Sequence, residues 1–245
     1  MYAFLKKLTK TLVPKKLLLK HELTFRKIFS LSYYGNKHLC QVCDATLKAF
    51  IQLPSTDLLC PYCGSLSRTR RLNSLLKEDH ALHGTVLHFS PSRSLYRKFK
   101  KLDSINYYSS DFADEFLAEY YFDITNIAMK ADFFDTIICY HILEHIEDDL
   151  QAMRELFRVL KPNGKCYIQT PYKDGDLYED NSIVTKEGRL KAFGQDDHVR
   201  IYSVEGLKKR LETIGFKVMV TTFESQTDDF YFGLQSPETV VVVTK

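Results

Sequence analysis

The sequence predicts an α/β protein built on an open, mostly parallel β-sheet that is doubly wound, with helices on both faces. Two observations lead to this fold class. From Gly84 onward, short apolar segments alternate with longer amphipathic ones, which is the pattern of consecutive β–α–β units. The last two apolar segments are joined by a loop instead of a helix, which predicts an antiparallel pair of strands at one edge of the sheet.

The predicted elements follow from this alternation. Strands are expected at 85–89, 106–109, 121–124, 134–140, 165–170, 216–222 and 239–244. Helices are expected at 67–82, 92–102, near 112–119, at 148–160 and at 203–214. Two helix ends are marked by the sequence itself, one by the stretch Lys161–Pro162–Asn163–Gly164 and the other by Gly215.

Composition indicates an ordinary water-soluble protein. Of the 245 residues, 44% are hydrophobic and 27% charged, and no apolar run approaches the roughly 18 residues that a membrane span needs. Lysines and Pro14 interrupt the apolar stretches near the N-terminus, which does not fit a secretory signal. We therefore expect a cytoplasmic protein.

The first 38 residues form a basic, amphipathic arm. They hold nine lysines and arginines against a single acid, Glu22, whereas the whole chain has a formal net charge of only +3. Leucines and Phe4 are interleaved with the lysines at helical spacing. Such a segment can lie on an anionic membrane surface, which here would be the inner face of the membrane, or bind nucleic acid. The alternative is a helix packed on the body of the protein with solvated lysines.

Two CxxC pairs predict a zinc ribbon over residues 39–66. Cys40 and Cys43 form CQVC, Cys60 and Cys63 form CPYC, and sixteen residues separate the pairs. Four thiolates at this spacing can close a tetrahedral shell around one structural Zn²⁺. The alternative of two disulfides needs an oxidising compartment that no other feature supports. The remaining cysteines, Cys139 and Cys166, lie in apolar segments and are expected in the core.

A nucleotide site is expected at the carboxyl ends of the first strands. No glycine lies between Gly84 and Gly164, which excludes the glycine-rich loops that hold phosphates and leaves a cofactor without phosphate. Asp111 and Asp123 close the second and third strands, where they could accept hydrogen bonds from ribose hydroxyls and from the exocyclic amine of adenine. The alternative is that each aspartate only forms a turn.

The stretches FFDTIICYHILEHIEDD (133–149) and AMRELFRVLKPNGKCYIQTPY (152–172) resemble class I S-adenosylmethionine-dependent methyltransferases. Over roughly 35–245 the chain resembles the branch that carries an N-terminal zinc ribbon. The resemblance implies a seven-stranded, Rossmann-like sheet in a methyltransferase domain, here 67–245, whose last strand is antiparallel, and S-adenosyl-L-methionine as cofactor. It also implies that the cofactor contacts are His88, Phe89, Ser90 and Pro91 for the methionine part, Asp111 for the ribose, and Asp123 with the Ile124 amide for adenine.

A long segment, 172–202, is expected to cover the acceptor. Its end reads FGQDDHVRIY, where His198, oriented by Asp196 or Asp197, is the first candidate for a general base. Arg200 is a candidate clamp for an anionic group of the acceptor. The alternative is that His198 and Arg200 only pin the segment. His141, directly after the fourth strand, is the second candidate base, and His145 is expected to pack or to cap a helix.

These features predict an enzyme that O-methylates a small molecule or a sugar of a surface glycan. A second hypothesis is RNA methylation, motivated by the zinc ribbon, the basic arm and the cluster Arg68–Arg70–Arg71. The fourth strand, however, is not followed by the proline-containing element that base-methylating enzymes of this fold use. A third hypothesis is a non-catalytic binding module that retains the fold.

Overall fold

The computed structural model describes residues 15–245, with side chains described from His21 onward. Residues 1–14 of the predicted basic arm lie outside the described residues. The chain forms two compact units. The N-terminal unit comprises the described residues up to Leu76 with Ser92–Lys98 and Glu224–Glu238, and the sheet unit comprises Lys77–Pro91, Phe99–Phe223 and Thr239–Lys245. Among residues 15–245, no helix is both long and apolar enough to cross a membrane.

The elements follow one another along the described chain in this order: α1 (Lys15–Ser30), β1 (Tyr34–Leu39), β2 (Thr46–Leu47), β3 (Ile51–Gln52), β4 (Leu58–Leu59), α2 (Ser67–Glu78), β5 (Gly84–Phe89), α3 (Arg93–Phe99), β6 (Ile105–Ser110), β7 (Phe134–Tyr140), α4 (Asp149–Val159), β8 (Leu160–Gln169), β9 (Tyr178–Glu179), α5 (Lys186–Phe193), β10 (Arg200–Ile201), α6 (Val204–Ile214), β11 (Lys217–Phe223), α7 (Thr227–Phe232) and β12 (Glu238–Thr244). Short 3₁₀ turns occur at Leu31–Tyr33 and Leu143–His145.

The central sheet confirms the predicted fold class. Its strand order is β11–β12–β8–β7–β5–β6. The pairs β6–β5, β5–β7 and β7–β8 are parallel, and β12 is antiparallel to β8. The last two strands therefore lie together at one edge, as expected. Because β5 pairs with both β6 and β7, the carboxyl ends of these three strands lie side by side at one edge of the sheet.

Within residues 15–245 the sheet has six strands where seven were expected, because the predicted strand at 121–124 is wrong, as is the predicted helix near 112–119. Between β6 and β7 the chain is irregular and makes only isolated bridges. Two aspartate side chains, those of Asp111 and Asp123, explain the irregular backbone. Asp111 accepts hydrogen bonds from the backbone amides of Glu115 and Phe116, and Asp123 accepts one from that of Thr125. Side chains that bond nearby amides compete with the regular backbone ladder.

The core of the sheet unit lies against β5, β7, β8 and β12, whose central residues are buried on both faces. Cys139 and Cys166 are fully buried there, which confirms their predicted core position. The helix end predicted at Gly215 is confirmed, and α4 carries an N-terminal cap. The side chain of Asp148 accepts a hydrogen bond from the Gln151 amide at the start of α4, and α6 ends at Gly215, whose φ of 112° is left-handed.

In the N-terminal unit, α1 is anchored by the single acid of the predicted arm. The carboxylate of Glu22 contacts Arg26 at 2.9 Å, Arg93 at 3.2 Å and Arg97 at 2.8 Å. Burial raises the pKa of Glu22, but the hydrogen bonds from Arg97 and Arg26 outweigh burial and lower it to about 2. The described side chains of α1 therefore favour the packed alternative over a free arm.

The basic cluster at the start of α2 is not a surface patch. Arg70 is fully buried, donates hydrogen bonds to the carbonyl oxygens of Ser65 and Leu58, and lies over the ring of Phe50 at 4.2 Å. Arg71 is also buried and contacts Asp229. The RNA hypothesis therefore loses two of the three arginines that motivated it.

Glu238→Gln is expected to stabilise the protein above neutral pH. Burial raises the pKa of Glu238 to about 7, although Arg71 and Arg68 lower it, and Glu238 Oε1 has no hydrogen-bond partner among the described residues. Between its ordinary pKa and about 7 the native state holds a proton that the unfolded chain has released, so stability falls as pH rises through this window. In urea unfolding, the free energy of unfolding of Glu238→Gln relative to that of wild type should rise by about 2 kcal/mol between pH 5 and pH 8.

Glu224→Gln, at an exposed acid of the same unit, is the matched control and should leave the pH dependence of the unfolding free energy unchanged. Parallel pH dependences for wild type and Glu238→Gln would contradict the prediction.

Candidate functional site

Four cysteine sulfurs converge in the N-terminal unit. Cys40 Sγ lies 3.7 Å from Cys63 Sγ, Cys43 Sγ lies 3.8 Å from Cys60 Sγ, and all four lie within 4.8 Å of one another. Four thiolates at about 2.3 Å from a tetrahedral ion would be about 3.8 Å apart, whereas the sulfurs of a disulfide are about 2 Å apart. All four cysteines are free. The donor set therefore fits one zinc ion and does not fit two disulfides.

The two CxxC segments fold alike. The Asp44 amide donates to the Cys40 carbonyl at 2.8 Å, and the Gly64 amide donates to the Cys60 carbonyl at 3.0 Å. Both closing residues are left-handed, with φ of 57° at Asp44 and 80° at Gly64. A side chain at Gly64 would also meet the guanidinium of Arg26 at 2.9 Å. The aspartate tolerates this conformation, and the glycine provides it without strain.

The loop after β5 takes a glycine-like conformation without a glycine. Ser90 has a φ of 44°, its amide donates to the Ser110 carbonyl at 2.7 Å, and its hydroxyl donates to Asp111 Oδ1 at 2.6 Å. A left-handed non-glycine residue costs energy and persists only where its surroundings determine it. The hydroxyl bond and the backbone bond both tie Ser90 to the end of β6. A sharp turn that would favour glycine is therefore obtained here by hydrogen bonding.

The predicted cofactor residues lie at this edge of the sheet. Asp111 is only 3% exposed, and its bonds to Ser90, Glu115 and Phe116 use three of the roughly four acceptor positions of a carboxylate. Asp123 Oδ1 accepts from the amide and the hydroxyl of Thr125, which makes it a turn former. The turn-forming alternative is therefore present at both positions, and the ribose and adenine roles stay predictions.

The side chains of His88 and Phe89 belong to the core, as does that of Ile124. His88 Nδ1 lies 3.1 Å from the hydroxyl of Tyr107, and burial lowers the pKa of His88 to about 3, so the ring is neutral. Only the backbone of these residues can line a cofactor site, whereas Ser90 and Pro91 form the turn itself.

A strained histidine follows β7. His141 has a φ of 56°, and its Nδ1 lies 3.2 Å from Oε1 of Glu144, which is 1% exposed. Burial raises the pKa of Glu144, but the hydrogen bond and charge of His141 outweigh it, so that the pKa is lowered. His141 Nε2 and Glu144 Oε2 are both buried and have no hydrogen-bond partner within residues 15–245. The two side chains thus bond each other through His141 Nδ1 and Glu144 Oε1, whereas the other ring nitrogen and the other carboxylate oxygen are unsatisfied within residues 15–245.

His145 and His198 meet beside this pair. Their ring centroids lie 4.6 Å apart at an interplanar angle of 88°. Asp197 Oδ2 contacts Nδ1 of His145 at 3.2 Å, so this carboxylate is paired with His145, and the orientation of His198 by Asp196 or Asp197 stays a prediction. His198 is only 3% exposed, and burial, with the nearby His145, lowers its pKa. His145, which was expected to pack or to cap a helix, packs against the ring of His198, is half-buried and is also paired with a carboxylate.

Arg200 holds the turn after β7 in place. Its guanidinium donates to the carbonyl oxygens of Leu143, at 3.0 Å, Glu147, at 2.8 Å, and Ile146. It also donates to Glu179 Oε2 at 3.1 Å and is 2% exposed. Its donors are occupied by the protein, so the alternative of a structural role replaces the predicted anion clamp. The predicted segment 172–202 is therefore tied to the turn that carries Glu144 and His145.

Comparisons with known proteins agree with this fold. Residues 103–220 match a family model described as a methyltransferase domain. A probable S-adenosylmethionine-dependent methyltransferase of Mycolicibacterium smegmatis is 33% identical over 87 residues, which is 34% of this chain and 29% of that protein. The matched segment thus spans under a third of the relative's length.

The crystal structure of a SAM-dependent methyltransferase from Archaeoglobus fulgidus is similar at a TM-score of 0.52 with 15% sequence identity, covering 72% of this chain and 94% of that chain. At this identity the similarity shows the fold alone. The match over residues 103–220 and the shared fold relate the sheet unit to S-adenosylmethionine-dependent methyltransferases by similarity.

Proposed function

We propose that this protein transfers a methyl group from S-adenosyl-L-methionine to a hydroxyl oxygen of a small molecule or of a sugar in a surface glycan. The observation that carries the proposal is the placement of two strained, hydrogen-bonded features at one edge of the sheet. The Ser90–Asp111 turn follows β5 and β6, and the His141–Glu144 pair follows the neighbouring strand β7. Strained residues cluster where ligands are held, and ligands of α/β sheets bind at the carboxyl ends of strands.

The cofactor would be held by the turn of Ser90 and Pro91 and by the carboxylates of Asp111 and Asp123. Asp111 retains one acceptor position for a ribose hydroxyl, and the absence of a phosphate-binding loop agrees with a cofactor that carries no phosphate. The cofactor supplies an activated methyl group, so the protein's main task is to align the acceptor oxygen.

The acceptor's proton needs a base, because a hydroxyl is a weak nucleophile until its proton leaves. His141 supports this role best, since its Nε2 is unpartnered among the described residues and Glu144 holds its Nδ1. That bond would fix the ring orientation and balance the positive charge that the ring acquires when Nε2 takes the proton. In this proposal His141 takes the role of general base that the sequence first suggested for His198 with Asp197.

The remaining assignments stay proposals. The four cysteines would hold one structural zinc ion, as in the zinc-ribbon branch that the chain resembles. The basic residues of 1–14 would contact an anionic membrane surface from the cytoplasm. Nucleic acid is the weaker partner because Arg70 and Arg71 are buried.

Calorimetric titration with S-adenosyl-L-methionine and with its demethylated product tests the cofactor site. Asp111→Ala and Asp123→Ala should each weaken binding by about 1–3 kcal/mol, the range for a lost hydrogen bond to a charged group. Asp111→Asn, which keeps an oxygen acceptor for the Ser90 hydroxyl, separates loss of cofactor contact from loss of the turn. Asp132→Asn, at an exposed position of the same unit, is the control and should bind as wild type does.

Absence of binding to wild-type protein would overturn the proposal and leave the non-catalytic binding module. Wild-type affinity in both alanine variants would show that the cofactor does not contact these two aspartates.

A further inference from the structure

We propose that Glu144, His145 and His198 form a binding site for one divalent transition-metal ion in the sheet unit, separate from the four-cysteine cluster. A carboxylate oxygen of Glu144 and one ring nitrogen from each histidine lie within 4.8 Å of one another. Glu144 and His198 are buried, and His145 is half-buried, so the site has an accessible side. One carboxylate and two imidazoles are a donor set typical of first-row divalent ions such as Mn²⁺, Fe²⁺ and Co²⁺.

The orphaned oxygen of Glu144 is the independent observation. Oε1 of Glu144 is held by His141, but Oε2 is buried and has no hydrogen-bond partner among residues 15–245. Leaving a buried charged acceptor unsatisfied is costly, and a cation is the ligand that satisfies a carboxylate oxygen most strongly. A bound ion would remove that cost without displacing the His141 contact.

The three donors are held in place before any ion binds. The Val199 amide donates to the Glu144 carbonyl at 2.9 Å, which ties the residue after His198 to the turn that carries Glu144 and His145. Arg200 bonds three carbonyls of the same turn. Asp197 holds Nδ1 of His145 at 3.2 Å and so leaves its other ring nitrogen for an ion. A carboxylate behind a ligating histidine is the usual second layer of a metal site.

The site also suggests which acceptors the enzyme takes, and this step rests on the proposed function. Three protein ligands leave two or three positions open on a five- or six-coordinate ion. Two adjacent oxygens of a vicinal diol, as in a sugar, can fill them together. The ion would then fix the orientation of the acceptor and polarise the oxygen that receives the methyl group.

Binding of Mn²⁺ to protein that carries one zinc per chain, the amount that the cysteine cluster holds, tests the site directly, because excess zinc would compete for the same donors. Electron paramagnetic resonance of free Mn²⁺ and calorimetry should show one Mn²⁺ bound per chain in the wild type, since a four-thiolate cluster is a poor site for this oxygen- and nitrogen-preferring ion. Glu144→Gln and His198→Asn should each weaken Mn²⁺ binding at least tenfold. Glu147→Gln removes an exposed acid of the same turn and should leave it unchanged.

Circular dichroism and thermal melting establish that each variant is folded, and His145→Asn, at a half-buried ligand, serves if the buried ones unfold. Equal Mn²⁺ affinity in wild type, Glu144→Gln and His145→Asn, or no Mn²⁺ binding to the wild type, would overturn the site. Titration of the same zinc-containing sample, without added Mn²⁺, with S-adenosyl-L-methionine keeps the two proposals apart, because cofactor binding without Mn²⁺ binding refutes only the metal site.

Discussion

Replacing Cys60 by serine is expected to abolish stoichiometric zinc binding and to unfold the N-terminal unit around the cysteine cluster. Cys60 is completely buried, and its sulfur lies 3.8 Å from that of Cys43. This unit relies on strands of two to six residues, so the ion would contribute much of its folding free energy. Structural zinc contributes about 10–16 kcal/mol of apparent binding free energy in small zinc modules, all of which depends on the complete ligand set.

Metal analysis of protein purified without chelators should give one zinc per wild-type chain and less than a tenth of that for Cys60→Ser. Limited proteolysis of the variant should cut first between residues 34 and 66, where the cluster holds the backbone. Cys166→Ala is the matched control, because it removes a buried thiol outside the cluster and should leave the zinc content unchanged. Wild-type protein that lacks zinc and carries disulfides between these cysteines would contradict the assignment.

Replacing His141 by asparagine is expected to lower turnover by roughly 10²–10⁴-fold while leaving cofactor affinity unchanged, because the variant lacks the proton acceptor. Asparagine is chosen because it tolerates the left-handed backbone that His141 adopts, so the change removes the ring without adding strain. The measurement is transfer of a labelled methyl group from S-adenosyl-L-methionine to methyl glycosides with vicinal hydroxyls, alongside calorimetry of cofactor binding.

His83→Asn, at an exposed histidine of the same unit, is the control and should keep wild-type turnover. His198→Asn tests the other candidate base, but His198 is also a proposed metal ligand, so the turnover of His141→Asn decides between the two. Unchanged turnover in His141→Asn, together with a large loss in His198→Asn, would restore the assignment that the sequence first suggested. If both histidines serve the reaction, both variants should lose turnover, and added Mn²⁺ should restore turnover in neither.

The sequence by itself determined the features that depend on local chemistry. The alternation of apolar and amphipathic segments predicted the mostly parallel sheet and its edge pair β11–β12, because side-chain periodicity follows directly from strand and helix geometry. The ends of α4 and α6 were predicted from Lys161–Pro162–Asn163–Gly164 and from Gly215, which lie just after the last residue of each helix. The spacing of the two CxxC pairs likewise predicted that four sulfurs would meet.

The tertiary structure decided which side chains face one another across long sequence separations. Arg200 bonds the carbonyl of Leu143, 57 residues earlier in the chain, and Arg70 bonds that of Phe232, 162 residues later. No local pattern distinguishes these buried arginines from solvated ones. The same holds for Asp197, which the sequence places beside His198 but the fold directs to His145. Neighbouring side chains diverge wherever the backbone turns, so adjacency in sequence does not predict contact in the folded site.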